Sequence, residues 1–299
     1  MLFSVIGLLA MVGISHFGAN SEHWSSKMKD VVVYRNLDYM GNNNPRQKLD
    51  LYLPENREKP KSTVVWLHSG GFRRGSKDKW TIASILLKEG FAVASVNYRL
   101  SQEATFPAQI IDVKTAVRFL RANAKQYGLS PEHIGVWGVS AGGYLAAMLG
   151  VTGDQKQWDS SQYQAYSGRV LAVCVWFGPI DFLLMDKHAG KHSIIDDDGE
   201  VSPLEDLMGA PLQSIPELVS QANPLNHVTL DDAPFLIMHG EQDKLIPYQQ
   251  SESLHATLLE AGVDSQLEII ADAAHGGKQF HSPERLKRII NFFRTHLQP

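Results

Sequence analysis

The chain has a single cysteine, Cys174, among its 299 residues, which excludes an intramolecular disulfide framework and any cysteine-rich metal site. It falls in the apolar run Val170–Phe177, where a buried structural thiol is expected, and it leaves the redox compartment undecided. A basic excess is missing too. Lys and Arg number 28 against 32 Asp and Glu, a net charge of −4, so nothing resembles the basic stripe that binding a phosphate backbone requires, and no nucleic-acid partner is expected. The apolar stretch Leu2–Ile14 falls short of the about 20 residues that cross a bilayer, so no stable membrane span is expected. Internal repeats and low-complexity tracts are absent as well.

Residues 1–30 admit two readings. Leu2–Ile14 suits a signal-peptide core with Gly13-Ile14-Ser15 as a small-x-small cleavage candidate, which implies export. The Lys or Arg that normally precedes such a core is missing, and a packed N-terminal helix on a cytoplasmic protein is the other reading. Oligomeric state stays open.

What the sequence does hold is alternation. A 43% hydrophobic, 20% charged chain of this length can bury a large core, and from Val31 onward strand-like runs alternate with helical patterns. Val31–Tyr39 and Lys48–Leu53, joined by Gly41-Asn42-Asn43-Asn44-Pro45, predict an antiparallel hairpin. Thr63–Leu67, Phe91–Asn97, Ile134–Val139, Val170–Phe177, Phe235–His239 and Gln266–Ile270 read as strands, several of them near-continuously apolar as in parallel sheets buried on both faces. Lys79–Glu89, Phe106–Tyr127, Ala141–Val151, Gln249–Glu260 and Pro283–Leu297 read as helices. The expected fold is α/β, a mostly parallel central sheet of about eight strands with helices on both faces, as one domain over residues 31–299. Between Asp181 and Ala233 the rhythm breaks down, which predicts an insertion over the sheet.

Chemistry concentrates at strand ends. Gly138-Val139-Ser140-Ala141-Gly142 lies between a strand and a helix, where glycines two residues either side of a serine allow a sharp turn that presents its hydroxyl at the helix start. A serine at its ordinary pKa is a poor nucleophile, so Ser140 needs a base and an orienting carboxylate, which on such an elbow follow in chain order as carboxylate, then histidine. Asp243, in the loop after Phe235–His239, is the expected carboxylate, with Glu241 and Asp272 as competitors. His275, among small residues after the last strand, is the expected base among 12 histidines, with His239 the rival. The amides of Gly70 and Gly71, in His68-Ser69-Gly70-Gly71-Phe72, and of Ala141 are the candidate oxyanion hole.

Other features receive plainer readings. Asp196-Asp197-Asp198-Gly199-Glu200 lacks calcium-loop spacing and reads as a solvated acidic loop. Arg99 is expected to tie down a loop. Trp66, Trp137, Trp158 and Trp176 are candidates for lining an aromatic-tolerant pocket, with a core role preferred for those on strands.

Together these motifs resemble the α/β-hydrolase superfamily, and more closely the branch shared by hormone-sensitive-lipase-like esterases and bifunctional feruloyl and acetyl-xylan esterases. The match rests on His68–Phe72, on Phe106-Pro107-Ala108-Gln109 with Asp112, on Gly135–Gly143, and on His239-Gly240-Glu241-Gln242-Asp243 with Pro247, and it covers roughly Tyr39 to the C-terminus. The resemblance implies hydrolysis of a small-molecule ester without a cofactor. Where that family usually carries three glycines after the histidine, Ser69 stands first here; its donors come from the second and third positions, Gly70 and Gly71, so the hole is expected to survive. A serine peptidase or amidase on the same fold, and a non-catalytic binding protein on a hydrolase scaffold, are the alternatives.

Overall fold

The computed structural model describes residues 31–297, apart from Arg57, Trp80 and 190–201. The N-terminal apolar segment and the acidic stretch at 196–200 therefore lie outside the described residues. The strands are β1 (Val31–Asp38), β2 (Lys48–Pro54), β3 (Lys61–Leu67), β4 (Ala92–Val96), β5 (Leu129–Val139), β6 (Val173–Trp176), β7 (Phe235–Gly240) and β8 (Ser265–Ile270). They form one eight-stranded sheet in the order β1-β2-β4-β3-β5-β6-β7-β8. The β1–β2 and β2–β4 pairings are antiparallel and every later pairing is parallel, as the alternating sequence pattern predicts.

Five longer or site-bearing helices matter here: α1 (Ala108–Ala122), α2 (Ala141–Thr152), α3 (Pro203–Met208), α4 (Gln249–Glu260) and α5 (Pro283–Leu297). Alternation along the buried strands divides the core into two layers. Val65, Val136, Val175 and Ile237 pack with Ile110, Val117, Leu145 and Leu254 of α1, α2 and α4. Trp66, Trp137 and Trp176 face the other way, meeting edge to face at 5.1–5.2 Å, and Trp137 reaches Phe293 of α5. These three tryptophans are core residues, and Trp158 is buried against Phe106 and His227. Among the described residues no helix is long and apolar enough to cross a membrane.

Some elements are shorter than their patterns. The helix expected over Lys79–Glu89 is a 3-10 turn at Thr81–Ser84 followed by one helical turn, Ile85–Lys88. Its expected start is used otherwise: Lys79 N–H donates to Ser76 O, and the Lys79 carbonyl accepts from Trp66 Nε1 at 2.9 Å. The helix expected over Phe106–Tyr127 begins at Ala108 and is interrupted at Asn123, then stops at Gly128 in the left-handed conformation. Residues 181–233 carry no strand, only short helical turns and α3 among the residues described.

At the junction of β5 and α2 backbone packs closely on backbone. A Cβ on Gly138 would lie 1.9 Å from the Gly142 carbonyl oxygen, and one on Gly142 would lie 2.2 Å from the Leu67 carbonyl oxygen at the end of β3. Only hydrogen fits at either position. Gly138→Ala is therefore expected to cost about 3 kcal/mol or more by overpacking, read as a lower urea midpoint at unchanged slope. A variant with the parent midpoint would show that the elbow relaxes freely.

Candidate active site

Ser140 sits at this junction with φ 56° and ψ −120°, a conformation that a residue with a side chain adopts only under constraint. The constraint is visible in its bonds. Ser140 N–H donates to Trp176 O at 2.9 Å, tying the turn to β6, and its carbonyl accepts from Tyr144 N–H at 3.0 Å, starting α2. Its Oγ lies 2.9 Å from His275 Nε2, and His275 Nδ1 lies 2.7 Å from Asp243 Oδ2. Three residues spread over 135 positions of chain thus form one hydrogen-bonded line. Each stands just past the carboxyl end of its own strand: β5, β7 and β8.

Of the competing groups, Glu241 and Asp272 are exposed, whereas the Asp243 side chain has no solvent exposure. Burial, the largest single influence on Asp243, pushes its carboxyl up. Hydrogen bonds from His239 and His275, with their Coulombic pull, outweigh it and hold the group well below the ordinary carboxylate range. His239 is fully buried, its Nδ1 2.7 Å from Ser251 Oγ and its Nε2 3.2 Å from Asp243 Oδ2. It makes no contact with Ser140, so the structure brings His275, not His239, to the serine.

The glycine loop after β3 lies against the start of α2, because Gly142 packs on the Leu67 and His68 carbonyls. Gly70 and Gly71 have φ of 131° and 58°, and the Gly70 carbonyl accepts from both Arg73 and Arg74 N–H groups. The amides of Gly70, Gly71 and Ala141 have no acceptor among the described residues, the condition for donors held ready for a developing anion. Behind the loop, His68 stacks on Tyr98 at 4.3 Å, and burial pushes its imidazole down to about 4. Arg99 ties its loop to α1, its guanidinium chelating the fully buried Asp112 at 2.7–3.2 Å. Cys174 is buried, and that burial raises its thiol.

Sequence patterns did not point to the walls of the site. Phe177, with φ 38°, stands edge-on to the His275 ring at 4.7 Å. Pro203, which opens α3, would touch a Cβ on Gly71 at 3.6 Å, and Arg73 pairs with Asp206 of α3 at 2.5 Å. The 181–233 segment is pinned by Asp181, which accepts from Asn223 Nδ2 at 3.0 Å, and by Gln250 Oε1, which accepts from the Ile180 and Asp181 amides. The only advance signal was the loss of rhythm there. Among the described residues, no cluster of histidine, cysteine and carboxylate side chains is arranged to hold a metal.

Comparison with known proteins adds the family. The BD-FAE family model matches residues 49–258. Esterase LipC of Mycobacterium tuberculosis (strain ATCC 25618 / H37Rv) is 29% identical over 212 residues, covering 70% of this chain and 51% of LipC, so the chain spans about half of that relative's length. A truncated carbohydrate esterase from gut microbiota superposes with a TM-score of 0.80 at 29% identity, covering 90% of this chain and 97% of that one. A bifunctional GH43-CE protein of Bacteroides eggerthii gives 0.80 at 31% identity, over 89% of this chain and 35% of that one. The α/β-hydrolase fold is thereby established, and the resemblance read from the four motifs is borne out.

His68 gives the site a test by acid. Its folded value of about 4 lies below the ordinary one of about 6.5, so the stability tied to the neutral ring is complete above pH 6.5 and is lost as the pH falls toward 4. Between pH 8 and pH 5 this amounts to about 2 kcal/mol of unfolding free energy. Urea unfolding of His68→Asn at the two pH values should show a loss smaller by that amount. Equal losses in both chains would mean that His68 is not the group responsible.

Proposed function

Because the chain belongs to the BD-FAE family and Ser140, His275 and Asp243 are joined by hydrogen bonds, we propose that it is a serine carboxylic-ester hydrolase working through an acyl-enzyme. The observation that carries this reading is His275, with one ring nitrogen 2.9 Å from a serine hydroxyl and the other 2.7 Å from a buried carboxylate. His275 Nε2 takes the Ser140 proton as Oγ bonds to the ester carbonyl carbon. The carbonyl oxygen becomes negative and is met by the amides of Gly70, Gly71 and Ala141, each such donor being worth about 3 kcal/mol. Asp243 offsets the positive charge that His275 then carries. Collapse breaks the bond to the alcohol oxygen, and the alcohol leaves with the proton from His275. Water next gives a proton to the same nitrogen and attacks the acyl-enzyme, releasing the acid and restoring the Ser140 hydroxyl.

The substrate is proposed to be a short acyl ester, with an acylated carbohydrate as the favoured alcohol side. Two of the solved structures that this chain resembles are a carbohydrate esterase and a bifunctional GH43-CE protein. Phe177 stands beside His275 and Pro203 beside Gly71, and bulky side chains next to two parts of the proposed machinery favour a small acyl group. A panel from acetyl-xylan and methyl ferulate to p-nitrophenyl esters of rising length is expected to show rates that fall as the acyl chain lengthens.

Ser140→Ala is expected to abolish hydrolysis of p-nitrophenyl acetate and labelling by a fluorophosphonate, while leaving the unfolding midpoint close to the parent value. Full activity in that folded variant would sink the mechanism.

A further inference from the structure

Asp243 is gripped from two directions. Its Oδ1 accepts from the backbone N–H groups of Leu245 at 2.9 Å and Ile246 at 3.0 Å. Its Oδ2 accepts from His275 Nδ1 at 2.7 Å and also from His239 Nε2 at 3.2 Å. The charged or titratable neighbours acting on this carboxylate are those two histidines, one at the end of β7 and the other in the loop after β8.

His239 is fully buried, and its surroundings fix its hydrogens. Nε2 lies 2.8 Å from the Ile246 carbonyl oxygen, which can only accept, so Nε2 carries a hydrogen that is shared between that carbonyl and Asp243 Oδ2. At the other end of the ring, Nδ1 meets the Ser251 hydroxyl on α4 at 2.7 Å. A donor anchored at both ends of its ring is thus aimed at the oxygen that orients the base. The Ser140 hydroxyl is out of its reach, and it lines no space where an ester could sit.

We propose that His239 is a positioning residue for the hydrolysis, fixing which way the Asp243 carboxylate faces so that Oδ2 stays on His275 Nδ1. The backbone amides hold Oδ1 and His239 restrains Oδ2, so the carboxylate cannot turn about its own axis without breaking bonds on both oxygens. Because that hydrogen is shared with the Ile246 carbonyl at 2.8 Å, the bond from His239 to Oδ2 at 3.2 Å is a weak one, and the carboxylate charge stays available to His275. That charge is needed when His275 takes the Ser140 proton, not when substrate binds, so His239 acts on kcat and not on KM. This inference rests on the proposed serine-hydrolase mechanism for its kinetic consequence, and on geometry alone for the orientation of His275.

The test uses the full chain with ¹⁵N-labelled histidine, read by two independent measurements. In His239→Leu, kcat on p-nitrophenyl acetate is expected to fall about tenfold or more, the scale of one hydrogen bond to a charged group, with KM unchanged within about twofold. The downfield Nδ1 proton of His275 should shift or broaden, and His239→Gln, which keeps an N–H donor, should recover part of both. A folded His239→Leu with parental kcat and an unmoved His275 proton overturns the proposal. If that variant does not fold, Ser251→Ala, which frees only the far end of the ring, decides. A drop of about threefold in kcat with a displaced His275 proton supports the proposal, and no change in either overturns it. A parent chain that hydrolyses no ester, but whose His275 proton still responds to His239, would fail the mechanism and keep the positioning.

Discussion

The site depends on how closely the first turn of α2 lies against the ends of β3 and β5. Gly138 and Gly142 leave no room for a Cβ, so the turn between them has one shape, and Ser140 is carried in that shape at a backbone conformation it would not choose alone. The same contact presses the start of α2 onto the Leu67 and His68 carbonyls, which brings the Gly70-Gly71 loop to the serine. One steric constraint thereby places both the Ser140 hydroxyl and the amides of the glycine loop. The bonds from Ser140 to Trp176 and from Tyr144 to Ser140 hold the strain in place.

On the other side of the site the governing quantity is the cost of a buried charge. An ionised carboxylate out of water must have every acceptor position satisfied, and Asp243 meets that condition with two backbone amides and two histidines. Its histidine neighbours come from two different strands, so the carboxylate also fastens the β7 and β8 loops to each other. The serine and the carboxylate are thus fixed by unrelated physics, close packing for one and charge solvation for the other. His275, half-buried between them, is the most exposed member of the line.

Much of this was legible in the sequence, for reasons that can be named. Ser140, Asp243, His275 and the Gly70-Gly71 turn each sit where an apolar strand run ends, and a strand end at the carboxyl edge of a parallel sheet is a position that local pattern reveals. Among the strands, β3, β4, β6 and β7 were readable because burial on both faces makes them near-continuously apolar. What pattern could not give is anything set by contacts across the chain. Ser251 reads as an ordinary polar helix residue until His239 is found against it. Phe177 reads as the last residue of a strand, not as a ring set against His275. Lys79 loses its place in a helix to a tryptophan on β3, and α3 is held by Arg73, some 130 residues upstream, so its own periodicity had little to announce.

The hydrogen bond between Asp181 and Asn223 closes the segment between β6 and β7 at its base, across 42 residues of chain. A segment sealed in this way is thermodynamically separable from the sheet, because lengthening a closed loop costs entropy only logarithmically, about 0.6 kcal/mol for each doubling. Length can therefore change at the exposed turns of that segment, around residues 213–217, while Leu204, Leu207, Val219 and Ala222 stay in the core and Tyr144 of α2 donates to the Ala222 carbonyl. The stretch around α3 is tied further: Arg73 pairs with Asp206 and the Leu207 carbonyl accepts from Phe106 N–H, so a change there would pass to the glycine loop and to the start of α1. Variation in this chain has a freer region and a fixed one here, and the boundary between them is drawn by core packing, backbone hydrogen bonds and an ion pair together.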